Sequence, residues 1–192
     1  MDYFVPPERL ETDGFVIRSY FPGDGGRIFD AVNASRPHLA PWMPWIDHHG
    51  TVEQSEWFAR SSRGRFLLGQ DFTLGIFSVD GTELLGGTGF HLREGPVSSL
   101  SAEIGMFIRA SEAGKGLGTR ALVALLDWGF REWPWIRLAW RCDIDNRPSV
   151  RTAERANMRR EGTLRGQPKE VGEGTRDTAC FAALRDEWSR VG

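Results

Sequence analysis

The chain has 192 residues, 40% of them hydrophobic, enough for one complete core and short for two, so a single domain over residues 1–192 is expected. Lysine plus arginine (24) nearly balance aspartate plus glutamate (26) at a net charge of −2, which exerts no overall pull toward nucleic acid or anionic lipid, so neither is expected as a partner. The longest clean apolar run, residues 121–126, is far below the roughly 18 residues that span a bilayer, and residues 1–8 lack the basic start and apolar stretch of a signal peptide.

Residues 10–20, with Phe15, Ile17 and Tyr20 apolar among polar neighbours, read as a first strand, and residues 27–35 as a short helix. The segment 37–50 carries three prolines, which forbid a regular helix there and display Trp42, Trp45 and three histidines on a rigid irregular loop. Thr51-Val52-Glu53-Gln54 is a capping box that starts a second helix, ending near Gly64, with Trp57 and Phe58 facing inward. Residues 71–79 and 83–92 alternate around Asp80-Gly81, a hairpin signal, and residues 100–108 form a fourth strand.

Next comes Ala113-Gly114-Lys115-Gly116-Leu117-Gly118-Thr119, followed by Leu122, Leu125, Leu126, Gly129 and Phe130 at helical spacing and stopped by Pro134. Glycines at a helix start leave backbone N–H groups unshielded where the dipole is positive, a cradle for a pyrophosphate. The Walker pattern fails, because Gly114-Lys115 is followed by Gly116 and not by a hydroxyl residue. The run from Gly116 to Ala121 fits the dinucleotide fingerprint, with Asp143 near the end of the next apolar run. That fold needs strand-helix repeats, however, and residues 70–108 read as consecutive strands without crossover helices. The plainer reading is a glycine-rich turn, although one glycine would suffice for that.

Residues 136–144 form a strand reached by a right-handed crossover, hence parallel to the fourth. A short helix over 150–157 and two strands, 160–164 and 177–184, complete the chain. Cys142 and Cys180 both fall in strand-like runs with no Cys-x-x-Cys and no histidine at metal spacing, so buried thiols in a reducing cytoplasm are expected and no metal site. The sum is an α/β fold with a mixed, mostly antiparallel sheet, in which one parallel strand-helix-strand step splays two strand ends around a ligand.

In order and spacing these segments resemble the GNAT superfamily of acetyl-CoA-dependent N-acetyltransferases, in its RimJ/RimL ribosomal-protein N-terminal acetyltransferase branch. Residues 101–108 resemble the family's fourth strand and residues 114–122 its pyrophosphate loop. Asn146-Arg147-Pro148-Ser149 is similar to its Asn-x-x-Ser, residues 160–165 to the motif after the next helix, 177–188 to the closing strand, and His38-Leu39 with Trp42 to Trp45 to the substrate loop. Ala113 stands where the superfamily usually has Gln or Arg, and Asn157-Met158 replaces its common Gly-Phe.

The resemblance implies direct attack of an amine on the acetyl thioester, with acetyl-CoA as co-substrate and no metal. An α-amine is favoured over a lysine, whose neutralisation at pH 7 costs about 3.4 kcal/mol more. A protein or peptide N-terminus is therefore the expected acceptor. A small amine such as an antibiotic or polyamine is the alternative, and a CoA-binding regulatory module without turnover is the alternative from another class.

Glu103 is the expected base, directly or through water, and a substrate contact; a salt-bridged strand glutamate is the other reading. Ser149 is expected to steady the leaving thiolate and, with Asn146, to contact pantetheine, while both also suit helix initiation. Met106, Phe107 and Ile108 are expected to offer backbone groups to pantetheine, and Gly114, Lys115, Gly116, Leu117, Gly118 and Thr119 to hold the pyrophosphate. Trp42 and Trp45 are the candidate acceptor contacts, or else buried against the second helix. Exposed aromatics also make a homodimer a reasonable expectation.

Overall fold

The period-2 patterns of the sequence become the strands of one sheet. In the computed structural model, which describes residues 4–188, the strands are β1 (Arg9–Glu11), β2 (Val16–Ser19), β3 (Phe72–Phe77), β4 (Leu84–His91), β5 (Ser101–Ile108), β6 (Arg137–Asp143), β7 (Arg159–Pro168) and β8 (Thr175–Leu184). Residues 1–3 of the N-terminal segment and the last four of the 1–192 span lie outside the described residues. Strand order is β1-β2-β3-β4-β5-β6-β8-β7, and β5–β6 is the one parallel pair among the described strands.

The helices are α1 (Gly25–Leu39), α2 (Val52–Leu67), α3 (Leu117–Arg131), α4 (Arg147–Arg155) and α5 (Arg185–Trp188). Alternation along the strands divides them between two faces. Phe72, Leu74, Ile76, Phe90, Ala102, Ile104, Leu138 and Phe181 pack with Leu122, Leu125 and Leu126 of α3 and with Val150 and Ala153 of α4. On the other face Tyr20, Phe77 and Leu84 pack with Ile28, Ala31 and Val32 of α1 and Ala59 of α2. The α3 stripe is the one its sequence spacing gives.

Several boundaries and orientations differ from expectation for local reasons. The expected first strand is a hairpin, because Thr12-Asp13-Gly14 turns the chain: the Thr12 hydroxyl donates to the Phe15 carbonyl at 2.7 Å and accepts from the Phe15 N–H at 3.2 Å. α1 runs on through Pro37, which lies in its last turn, and Pro44–His49 forms a 3-10 helix with proline at its first position. The 37–50 segment is thus mostly helical: Pro44 opens its helix, where the missing N–H is one of the orphan donors, whereas Pro37 lies inside α1 and forgoes one bond of its last turn. The capping box at Thr51 and Gln54 is present, but Trp57 is 70% exposed while Phe58 packs inward against Tyr20. Neighbours in a helix point about 100° apart, so both cannot face the sheet.

Cys142 is buried and Cys180 is half-buried, and both are free. Register pairs Cys142 with Ala179 and Arg141 with Cys180, so the two thiols lie on opposite faces of the sheet and cannot bridge. Asn157 occupies the left-handed region at φ 57°. Asparagine tolerates that conformation better than other non-glycine residues, so it can stand where the resembling family has glycine, and Met158 beside it is 5% exposed in the α3-side core.

Ahead of α1, Asp24 is 3% exposed and binds both guanidinium nitrogens of Arg18, at 2.7 and 2.9 Å. Burial pushes its carboxyl up, but the hydrogen bonds and charge of Arg18, the Phe21 N–H and the charge of Arg27 outweigh this and hold it below the usual aspartate value. A depressed folded pKa contributes stability above the unfolded value of about 3.9, lost as pH falls through the folded one. The melting midpoint is therefore expected to drop below about pH 4, and scanning calorimetry should find part of that slope missing in Asp24→Asn.

Candidate active site

Strands β5 and β6 are joined only at Ser101–Arg137, Ala102–Leu138 and Glu103–Ala139. Beyond those pairs β5 stays on β4 out to Ile108 and β6 stays on β8 out to Asp143, so the two strands diverge. From Ile104 to Ile108 the β6-facing edge of β5 has no strand partner, which leaves backbone groups to pair with an extended ligand. Met106, Phe107 and Ile108 all lie on this edge, as the resemblance implies.

Beyond the mouth of the gap, β5 leads through Ala110–Glu112 into the glycine loop. Gly114 and Gly116 have φ of 76° and 82°, and an added Cβ at either would meet nothing within 4 Å. Gly116 is the N-cap of α3, and no side chain caps this end. The first-turn amides of Leu117, Gly118 and Thr119 are thus left to an outside acceptor in an electropositive, unobstructed cradle. Lys115 pairs with Glu112 at 3.2 Å on the rim. Arg151 and Arg155 are exposed on α4.

A cleft of about 870 Å³ runs through the gap. Trp140, Asn146 and Ser149 are among its lining residues. Asn146 accepts the Ser149 N–H at 3.2 Å as the N-cap of α4, and the Trp140 indole N–H donates to Ser149 Oγ at 3.2 Å. The serine oxygen accepts from Trp140, which leaves its own hydrogen as the donor, with the Cys142 thiol within its reach. The Cys142 thiol alongside is pushed up by burial, only partly offset by Ser149 and Trp140, and stays protonated. Asp143, which follows the dinucleotide-like run in the sequence, accepts the Asp145 N–H at 2.9 Å in the turn before α4.

Trp42, Trp45, His91 and Glu103 line the cleft as well. Trp42 and Trp45 are both half-buried; Trp45 packs 5.2 Å from Phe107 and 5.6 Å from His49 between ring centroids. His49, hydrogen-bonded to Ser55 at 3.0 Å, is held down to about 4 by burial with the charges of His48 and Arg36, so it is neutral at pH 7. Among the described residues no group of three or more His, Cys, Asp or Glu is arranged for a metal ion.

Glu103 is 3% exposed, and each of its oxygens accepts from an arginine: Arg93 at 2.7 Å and Arg141 at 3.2 Å. Of the two sequence readings, this geometry realises the salt bridge. The partners lie 10 and 38 residues away, and no local signal marked them. Also missed was His91, the register partner of Glu103, whose Nδ1 lies 3.1 Å from Asp71. A usable hint was the glycine pattern Gly86-Gly87-Thr88-Gly89 in β4, which clears space on the sheet beside it.

Residues 15–159 match the family described as the Acetyltransferase (GNAT) domain. YnaD of Bacillus subtilis (strain 168), named an uncharacterized N-acetyltransferase, is 33% identical over 89 residues, 45% of this chain and 51% of its own length. The chain thus spans about half of that relative. The uncharacterized N-acetyltransferase p20 of Bacillus licheniformis is 28% identical over 158 residues, 81% of this chain and 85% of its own. Among solved structures, ribosomal-protein-S5-alanine acetyltransferase from Vibrio fischeri superposes with a TM-score of 0.83 at 17% identity, covering 95% of this chain and 99% of that one. Mycobacterium smegmatis RimJ in complex with CoA-disulfide gives 0.79 at 26% identity, covering 90% and 83%. With the splayed β5–β6 pair and the open glycine cradle, this match means that the chain belongs to the GNAT family of acetyl-CoA-dependent N-acyltransferases.

Proposed function

We propose that the protein transfers acetyl from acetyl-CoA to a primary amine, favouring the N-terminal α-amine of a protein or peptide. The divergence of β5 from β6 carries this reading, because it opens one passage from the helix-start cradle to the acceptor half of the cleft. Pantetheine enters as an added strand along Met106, Phe107 and Ile108, with its pyrophosphate on the Gly114–Thr119 amides and its thioester beside Asn146 and Ser149. The likeness in fold to a ribosomal-protein-S5-alanine acetyltransferase and to a ribosomal L7/L12 alpha-N-protein acetyltransferase supports a protein acceptor.

The charge of the acceptor side supports it too. Arg65, Arg93, Arg141 and Arg176 line the cleft beside Asp71, Glu103, Asp143 and Glu170, so it is not the acidic well that a polyamine or aminoglycoside calls for. Trp42 and Trp45 offer flat apolar contact to a first peptide side chain. Glu103, tied to two arginines, shapes and orients this half of the cleft. Calorimetric titration with acetyl-CoA, followed by thiol release against a panel of peptides and small amines, tests the whole reading. Turnover on small amines alone overturns the peptide acceptor, and binding without any turnover moves the assignment to a regulatory module.

Ser149 donates its hydroxyl hydrogen to the CoA sulfur as negative charge develops there. One hydrogen bond to a charged group is worth about 1.5–3 kcal/mol. Ser149→Ala is thus expected to lower kcat about tenfold or more with little change in acetyl-CoA affinity, read by thiol release and calorimetry. Equal loss of affinity and no loss of kcat would make Ser149 a binding residue only.

A further inference from the structure

We propose that His91 is the general base of the transfer and that Asp71 is its positioning residue. This rests on the acetyl-transfer reading above.

His91 ends β4, and Asp71 immediately precedes β3, so the hairpin register brings together two residues 20 apart. Nδ1 lies 3.2 and 3.1 Å from the two Asp71 oxygens. Asp71 also accepts the Thr73 hydroxyl at 2.8 Å and the Leu92 N–H at 3.4 Å, which fixes the carboxylate on the strand frame. Burial raises the Asp71 carboxyl, and the hydrogen bond and charge of His91, then Thr73 and Leu92, bring it below its ordinary value. An ionised carboxylate only accepts, so in the neutral ring the hydrogen sits on Nδ1 and the lone pair on Nε2.

The glycine pattern decides where that lone pair is. Gly89 and Gly105 face each other across β4 and β5. An added Cβ at Gly89 would lie 3.1 Å from His91 Cε1, and one at Gly105 would lie 3.0 Å from Nε2. The ring therefore rests on a floor of two glycines with Nε2 over β5, two residues past the last β5–β6 pair, where the gap has opened. Its side chain is 21% exposed and lines the cleft. Among the described residues Nε2 makes no hydrogen bond, whereas both Glu103 oxygens are engaged by arginines.

The step balances as follows. The ammonium of the acceptor gives one proton to Nε2, and the freed pair attacks the thioester carbon to form the C–N bond. Collapse breaks the C–S bond with its electron pair on sulfur, a second nitrogen proton passes to that sulfur, and the third stays on the amide. The imidazolium returns its proton to solvent. Asp71 ahead of β3 is the charged group on the His91 ring, and the charged groups that line the cleft with it are Arg65 on α2, Glu103 on β5 with Arg93 and Arg141, Asp143, Glu170 and Arg176. Among them His91 alone presents a ring nitrogen that makes no hydrogen bond among the described residues.

The test is the pH profile of kcat/KM in the full chain, wild type against His91→Gln, Asp71→Asn and Glu103→Gln. Wild type is expected to show an acid limb. His91→Gln should lower kcat by about 10²-fold or more and erase the limb, with acetyl-CoA affinity unchanged by calorimetry. Asp71→Asn should move the limb to lower pH, since losing the carboxylate disfavours imidazolium, an effect that a merely structural role does not produce. A limb that survives His91→Gln, or vanishes only in Glu103→Gln, overturns the proposal while leaving acetyl transfer standing. Absence of thiol release from the wild type across the acceptor panel overturns both. Independently of any acceptor, ¹⁵N shifts of the His91 ring at pH 8.5 should report hydrogen on Nδ1, and hydrogen on Nε2 overturns the proposal.

Discussion

Gly116→Asp is expected to abolish measurable acetyl-CoA binding while leaving the protein folded. Gly116 adopts φ 82° at the N-cap of α3, with open space where a side chain would project. An L-residue there costs about 1–2 kcal/mol of backbone strain, which aspartate partly recovers as a favoured N-cap. Stability is therefore little changed. Affinity is a different matter, because the new carboxylate occupies the electropositive helix start proposed to hold the pyrophosphate. At about 4 Å and an effective dielectric near 20, a like-charge pair costs about 4 kcal/mol. Kd for acetyl-CoA should rise by at least about 100-fold. Gly116→Asn, which tolerates the same backbone without charge, should keep part of the affinity. Calorimetry on both variants decides the matter, and equal, undiminished binding would remove the cradle from the reading.

Trp133→Ala is expected to be the most destabilising single change considered. Trp133 is 3% exposed at the junction of α3 with the sheet, 4.9 Å from Phe72, 4.8 Å from Phe90, 5.4 Å from Trp128 and stacked at 6.0 Å on Trp135. Truncating a buried tryptophan typically costs about 3–5 kcal/mol, through lost transfer energy and the cavity left behind. A domain of this kind has about 5–15 kcal/mol in all. Trp133→Phe is the control. The Trp133 indole N–H has no partner among the described residues, so phenylalanine keeps most of the apolar contact and gives up no hydrogen bond. Urea unfolding should show a large fall in midpoint for alanine and a small one for phenylalanine. Similar midpoints for both would mean that the aromatic cluster contributes little.

Legibility in the sequence followed the range of the interaction. The capping box, the Asp80-Gly81 turn and the α3 stripe are contained within a few residues each, and all three are found where the pattern places them. The alternation over residues 10–20 reads as one strand, but the Asp13-Gly14 turn inside it makes a hairpin. Hydrophobicity alone points both Trp57 and Phe58 inward, whereas the helix phase lets only one of the pair reach the sheet.

The glycine-started helix and the parallel β-α-β step were determined by sequence alone, because helix starts, glycine conformations and crossover handedness depend on local chemistry and chain connectivity. Tertiary structure alone decided which side chains meet in the cleft. Glu103 reads the same on paper with or without arginines at its oxygens, and His91 carries no local mark of Asp71. Each partnership is made by strand register across the sheet. Register is a global property, fixed by which face the whole sheet buries.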